Sequence, residues 1–282
     1  MHPIRRGLLW GAAGLIALFV INALSAVITG ADDPFPPAPV TQPHTDTQSS
    51  EGSSPDAPVE GGPDGNLEQP DSRSREPDDL SAREMLQSIP IKGRAPKTGY
   101  DREGQFGRAW FDVDANGCDT RNDILQRDLD NLVLERECTV LSGTLDDPFS
   151  GEVIDFERGE ATSILVQIDH VVALSNAWQT GAAQLDAETR LSFANDPLNL
   201  IAVSGRLNAQ KGDGDAATWL PPKGDFWCEY VARQVAVKAH YDLWVTPPEF
   251  ERIDTILSEC GNPPALTPDQ HGMFRPGSLP GF

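Results

Sequence analysis

The long acidic stretch from Asp32 to about Ser81 most constrains how this chain can fold. It is rich in Pro, Gly, Ser, Asp and Glu and shows no hydrophobic period. Such a sequence cannot bury enough apolar surface to offset the conformational entropy that folding costs. We therefore predict a disordered linker over residues 32–81, whose ends as a flexible coil would lie roughly 40 Å apart. Any stable fold must therefore form from the residues that follow this linker in the sequence.

The segment before the linker predicts export. Arg5 and Arg6 precede an uncharged run from Leu8 to Ile28, whose roughly 20 residues match the length of a membrane-spanning helix. The basic flank predicts a cytoplasmic N-terminus, whereas the Ala-rich end of the run also permits cleavage. Residues 1–31 are thus predicted to be a signal anchor or a signal peptide. Either way the rest of the chain is extracytoplasmic, anchored to the cell membrane or secreted.

Four cysteines, an even number in a chain with a leader, indicate disulfide bonds. Cys228 opens one predicted helix and Cys260 closes the next, so antiparallel packing of these helices would bring the two cysteines together. Cys118 and Cys138 then bracket another helix-like segment and form the second bridge. The alternative is four reduced core cysteines, which an oxidising compartment disfavours.

Hydrophobic periodicity predicts an α+β fold with one globular domain over residues 82–264, followed by a flexible tail over residues 265–282. No internal repeat is visible, and the length suffices for a sizeable core. The predicted helices lie at 81–91, 121–132, 186–194, 225–243 and 248–259, and the predicted strands at 138–141, 153–156, 164–174 and 198–203.

Two β-rich runs carry the polar residues that indicate chemistry. The first, ILVQIDHVVAL, places Asp169 and His170 in an apolar strand, and no other of the five histidines has such a setting. The second begins with Asn199 and leads into a polar helical segment with Asn208 and Lys211. Because neighbouring residues of a regular strand point to opposite faces, Asp169 and His170 need a bulge or the strand's end to reach one site.

From about Tyr100 to Cys260 the chain resembles the exported branch of the HNH endonucleases, relatives of the nuclease domain in GmrSD-type restriction enzymes. The resemblance implies a ββα-metal (His-Me finger-like) core with added helices, and an endonuclease acting on DNA or also on RNA. The chain has Asn208 at the third HNH position and lacks the paired CxxC zinc knuckles of other members. The matching stretches are GYDREGQFGRAWFDVDANGCDTRNDILQRDL, DPFSGEVIDFERG, IDHVVALSNAW, FANDPLNLIAV, NAQKGDGDAATWLPP and CEYVARQVAVKAHYDLWVT.

The expected reaction explains the types of residue. His170 suits the role of general base, because an imidazole titrates near neutral pH. Asp169 and Asn208 offer a carboxylate and a carbonyl oxygen, which suit Mg²⁺ or Mn²⁺ rather than zinc. In the family the central Asn orients the histidine, and Asn199 falls at that position.

Net charge restricts how nucleic acid could be bound. The chain carries −21 at neutral pH, and the linker accounts for only part of it, whereas nucleic-acid binders are usually basic. Lys211 and Arg121 are candidates to hold substrate phosphate, although both can equally be ordinary surface residues at helix ends. Weak, non-specific cleavage fits this balance better than sequence recognition. Further candidates for a local basic patch are Arg127, Arg206 and Lys223.

A second acidic cluster raises a different function. Asp112, Asp114, Asn116 and Asp123 follow the spacing of an EF-hand loop, with Asp in place of the final Glu. The segment is either a calcium site or a turn that caps the next helix and directs Arg121. The alternative to a nuclease is therefore a non-catalytic, calcium-binding cell-surface module on the same fold. No protein partner can be inferred.

Overall fold

Helices and short strands alternate in the part of the chain that the computed structural model describes, residues 80–279 and 281–282. The predicted α+β class is confirmed. The helices are α1 (Ala82–Ser88), α2 (Arg102–Phe106), α3 (Thr120–Asp128), α4 (Leu174–Gln179), α5 (Ala187–Asn195), α6 (Gly205–Lys211), α7 (Trp227–His240), α8 (Pro247–Glu259) and α9 (Pro268–His271). The strands are β1 (Leu129–Glu135), β2 (Thr139–Asp146), β3 (Val153–Glu157), β4 (Val166–His170) and β5 (Leu200–Ser204).

The predicted leader over residues 1–31 and nearly all of the predicted linker lie outside the described residues. Among those described, no helix is long and apolar enough to cross a membrane. The segment over residues 265–282, predicted to be a flexible tail, contains α9 and packs against the body. Leu266 and Leu279 are buried, and the Gly277 amide donates to the Glu229 carboxylate at 2.8 Å. The described part of this segment is therefore packed against the domain through its apolar side chains.

The strands form two separate antiparallel sheets. One has the order β1-β2-β3, and the other pairs β4 with β5. The β4–β5 register is continuous, from Val166 opposite Ser204 to His170 opposite Leu200, with no bulge. Helix α6 follows β5 without a loop and contacts both strands. Only glycine fits at its first position, because a Cβ on Gly205 would lie 2.0 Å from the Ile164 carbonyl oxygen.

Strand β1 replaces the last turn of a predicted helix. The sequence predicts a helix up to residue 132, but α3 ends at Asp128 and the chain continues extended. The Asp128 carboxylate binds Arg127 at 2.6 Å and accepts from the Ala202 amide at 2.7 Å. Leu129 then pairs with Leu145 of β2. Tertiary pairing therefore overrides the local preference of these residues for a helix.

Both predicted disulfides are confirmed, Cys118–Cys138 and Cys228–Cys260. Cys228 lies in the first turn of α7 and Cys260 caps the end of α8, so the helices meet as their apolar faces predict. Thr246 and Glu249 form a capping box that starts α8. Helix α7 is buried almost throughout, and its packing fixes the frame on which the β4–β5 sheet rests.

Candidate active site

His170 is the last residue of β4, and a backbone carbonyl group of α5 contacts its imidazole ring. Nε2 lies 2.8 Å from the Ala194 carbonyl oxygen. Because a carbonyl can only accept, Nε2 carries the proton of the neutral ring and Nδ1 keeps the lone pair. Among the described residues Nδ1 has no hydrogen-bond partner. The β4–β5 register continues through Asp169 and His170 without a bulge, so the two side chains keep the alternation of the strand and no re-aiming occurs.

The surroundings of His170 favour the neutral imidazole. Burial, followed by the positive charge of Arg102, lowers its pKa to about 3, against the opposing effect of the Ala194 carbonyl. The indole of Trp110 stacks on the imidazole, with ring centroids 6.4 Å apart and planes 22° from parallel. At neutral pH the ring is therefore uncharged, and its Nδ1 carries a free lone pair.

Asp169 points away from His170, towards α6, where it meets Lys211. The Lys211 ammonium donates to both carboxylate oxygens at 2.8 and 2.7 Å, and to the His170 carbonyl oxygen at 2.5 Å. The lysine side chain is fully buried. This position differs from the phosphate-facing one expected from the sequence: Lys211 fastens α6 to the end of β4.

Asn199 is fully buried and connects the segments on either side of His170. Its Oδ1 accepts from the Val172 amide at 2.8 Å, and its Nδ2 donates to the carbonyl oxygens of Val172 and Phe193 at 3.4 and 3.3 Å. Phe193 precedes Ala194, whose carbonyl holds the imidazole. Asn199 thus does not contact the ring, and it fixes the two backbone segments that do.

Asp169, His170 and Asn208 border one recess of about 80 Å³, together with Arg102, enough for several water molecules. The Asn208 amide nitrogen donates to the Gln167 side chain at 2.9 Å, so its carbonyl oxygen remains available. Among residues 80–279 and 281–282, no group of three or more His, Cys, Asp or Glu side chains could hold a metal ion. Among the residues that line this recess, Asp169 and Asn208 are the ones whose side chains contain oxygen.

A second recess adjoins the first, and it contains residues that the sequence analysis missed. Arg102 and Arg108 line it together with Trp110 and His170. Both arginines lie on or next to the short helix α2, where no hydrophobic period distinguishes a site residue from a surface one. The only signal for them was their place in the stretch GYDREGQFGRAW, which is part of the resemblance.

Arg121 and Arg127 turn inwards. The Arg121 guanidinium lies 5.9 Å from the Trp110 ring centroid and 3.5 Å from the Val166 carbonyl oxygen, and burial lowers its pKa. It therefore supports the indole that stacks on His170. The Arg127 side chain is buried and donates to the Asp128 carboxylate and three carbonyl oxygens. The other residues of the predicted basic patch, Arg206 and Lys223, are exposed.

The acidic residues of the predicted calcium loop do converge. Nδ2 of Asn116 donates to Asp114 at 3.0 Å and to Asp123 at 3.2 Å, while the Gly117 amide donates to Asp112 at 2.9 Å. Burial raises the pKa of Asp123, and the neighbouring carboxylates raise it further. Internal N–H donors thus occupy these oxygens and form a turn before α3, whose N-cap is Asp119 rather than a residue of this cluster. Calcium binding there stays a prediction.

Comparison with known proteins agrees with this architecture. Residues 119–252 match the family described as the C-terminal domain of GmrSD restriction endonucleases. The chain is also similar to an uncharacterized secreted protein of Arthroderma benhamiae, at 36% identity over 186 residues, which cover 65% of this chain and 87% of that protein. No solved structure matches. The matched region contains β4, β5 and α6 with their polar residues, and the chain belongs to the family of the GmrSD restriction endonuclease C-terminal domain.

Proposed function

We propose that this protein is an exported, metal-dependent endonuclease of the HNH type, which hydrolyses phosphodiester bonds of DNA with little sequence specificity. The environment of His170 carries the proposal: a neutral imidazole with Nδ1 unoccupied borders the same recess as Asp169 and Asn208. Membership in the GmrSD family adds independent support, because this family is the C-terminal domain of restriction endonucleases.

The arrangement of β4, β5 and α6 supports a ββα-metal core. The second of two antiparallel strands leads directly into a helix that packs on both of them. The first strand ends at His170, and the helix carries Asn208. These are the positions that the family resemblance requires for the base and for one metal ligand.

In the proposed reaction His170 acts as general base. Nδ1 removes a proton from a water molecule while the water oxygen attacks phosphorus, and the bond from phosphorus to one ester oxygen breaks. The leaving oxygen takes a proton from solvent. Asn199 and Lys211 keep the imidazole in place, the first through the backbone around it and the second through the His170 carbonyl.

Asp169 and Asn208 would hold Mg²⁺ or Mn²⁺. Magnesium keeps several waters and takes one or two carboxylates plus substrate phosphate, so a recess with two protein oxygens fits it. Lys211 uses one hydrogen bond on each Asp169 oxygen, which leaves lone pairs on both. When bound, the ion would neutralise charge on the phosphate and lower the pKa of a bound water.

Location and substrate follow from the other features. Both cysteine pairs are bridged, as in proteins of an oxidising compartment, and the relative from Arthroderma benhamiae is named as secreted. We therefore place the catalytic domain outside the cytoplasm, secreted or held at the membrane by residues 1–31. An acidic protein binds nucleic acid weakly, which suits cleavage of many sequences.

The test is cleavage of plasmid and single-stranded DNA by the protein with both disulfides formed, titrated with Mg²⁺, Mn²⁺ and Ca²⁺. His170→Ala is expected to lower the rate by about 10²–10⁴-fold, as removal of a general base does. His240→Ala, at the exposed end of α7, is the matched control and is expected to cleave normally.

A second outcome would favour the alternative function. The convergence of Asp112, Asp114 and Asp123 is the observation behind it. No cleavage with any metal, together with a melting temperature that rises in Ca²⁺, would indicate a calcium-binding surface module. Wild-type cleavage by His170→Ala would refute the assigned base.

A further inference from the structure

The two recesses of the candidate site meet at a shared wall. Asp169 and Asn208 line one of them, and Trp110 and Arg108 line the other. Arg102, His170 and Leu174 line both of them. A molecule that extends through both recesses must therefore pass the imidazole of His170 and the side chain of Arg102.

Arg102 is exposed and has no hydrogen bond or ion pair within the described residues. Arginines elsewhere in the described residues have such partners: Arg94 binds Asp215 at 2.7 Å and Arg127 binds Asp128 at 2.6 Å. In a chain of net charge −21, carboxylates are plentiful, yet none of those in residues 80–279 and 281–282 pairs with this guanidinium. Its binding capacity is therefore free for a ligand.

The backbone that carries Arg102 is firmly placed. Asp101 caps α2 through the Gly104 amide. Phe106, at the other end of the helix, is buried, with its ring 6.4 Å from Trp178 and 6.0 Å from Phe193. Because Phe193 also belongs to the segment that holds His170, Arg102 and the imidazole share one support. Arg102 lines both recesses together with His170, and it lines one of them together with Asp169.

We propose that Arg102 binds the phosphate of the phosphodiester bond that is cleaved. A guanidinium forms two parallel hydrogen bonds with phosphate oxygens, and its charge offsets the negative phosphate in an acidic protein. This inference rests on the proposed nuclease function and adds the residue that draws substrate to the base. It also accounts for phosphate binding now that Lys211 is buried.

The first experiment measures binding without turnover. A fluorescein-labelled single-stranded DNA oligonucleotide is titrated with the full-length, disulfide-bonded protein in EDTA, at several salt concentrations. Arg102→Gln is expected to raise Kd about 10-fold or more, the loss of charge-assisted hydrogen bonds. It should also reduce the slope of log K against log salt by about 0.7, one phosphate contact.

Arg136→Gln is the matched control, because Arg136 is an exposed arginine in the turn between β1 and β2, outside both recesses. It loses the same charge and is expected to bind almost as wild type does. Arg102→Lys, which keeps the charge, should recover part of the affinity. Equal Kd values and salt slopes for Arg102→Gln and Arg136→Gln would overturn the inference.

The second experiment compares cleavage, and it separates this inference from the proposed function. If His170→Ala abolishes cleavage, Arg102→Gln is expected to lower kcat/KM by about 10²–10³-fold, as loss of a preorganised charge donor does. If Arg102→Gln then cleaves like Arg136→Gln, the nuclease stands and the role of Arg102 is wrong. If wild type does not cleave, the nuclease fails, and the binding comparison alone decides whether Arg102 holds phosphate.

Discussion

Replacing Lys211 by Met tests whether the buried ion pair supports the site. The ammonium lies 2.8 and 2.7 Å from the two Asp169 oxygens, and the side chains are 0% and 4% exposed. At an effective dielectric constant of about 20, unit charges this close attract by roughly 6 kcal/mol. Much of this attraction offsets the free energy that it costs to remove both charges from water. The effect of replacing Lys211 therefore depends on how the remaining Asp169 carboxylate is accommodated.

Lys211→Met leaves a buried carboxylate without its counter-ion. Removal of one partner of a buried pair typically costs about 3–5 kcal/mol of unfolding free energy, and we expect that loss here. Lys97→Met is the matched control: its ammonium is 3.4 Å from Asp213, with side chains 53% and 46% exposed. Such a surface pair contributes about 0–1 kcal/mol.

Urea unfolding followed by tryptophan fluorescence measures both changes, since the chain has six tryptophans. Asp169→Leu combined with Lys211→Met should recover much of the loss, because an apolar pair needs no counter-ion. Two results would refute the reasoning: a loss below about 1 kcal/mol for Lys211→Met, since buried pairs cost more to break, or simple additivity in the double variant.

Three further predictions concern the frame of the site. Replacing Cys228 and Cys260 by Ala should lower the unfolding free energy by about 3.7 kcal/mol, from the loop-entropy relation applied to a sequence separation of 32; reversible unfolding in urea measures it. Gly205→Ala places a Cβ 2.0 Å from the Ile164 carbonyl oxygen, so the melting temperature should fall, and an unchanged value would contradict the packing. Asn199→Ala leaves buried backbone groups without partners, at roughly 1–3 kcal/mol each; it should lower both stability and DNA cleavage, with His240→Ala unaffected.

The sequence predicted best what local patterns determine. The broad apolar faces of α7 and α8, with Cys228 at the start of one and Cys260 at the end of the other, were enough to predict both helices and their disulfide. Strand β1 was missed because local sequence does not decide between helix and strand for residues such as Leu129. The residues that they pair with in the folded protein decide it. The partner of Leu129 on β2, Leu145, is distant in sequence.

The site itself was predictable in part. Asp169 and His170 stood out because polar residues are rare in a β-branched apolar run. The burial of Lys211 could not be predicted, because a lysine at the end of a polar helix usually faces solvent. Its partner lies 42 residues earlier in the chain. The acceptor for the imidazole, the Ala194 carbonyl, is a backbone group and leaves no mark on the sequence at all.

The structure divides the site into a rigid part and an accessible part. His170 is restrained in three ways: its ring by the Ala194 carbonyl, its carbonyl oxygen by Lys211, and its strand position opposite Leu200. Arg102, by contrast, is exposed and unpaired among the described residues. A preorganised base lowers the barrier to reaction, whereas binding through an exposed guanidinium depends on phosphate alone and weakens with salt. Under the proposed function, this division favours an enzyme that accepts many sequences over one that selects a particular site.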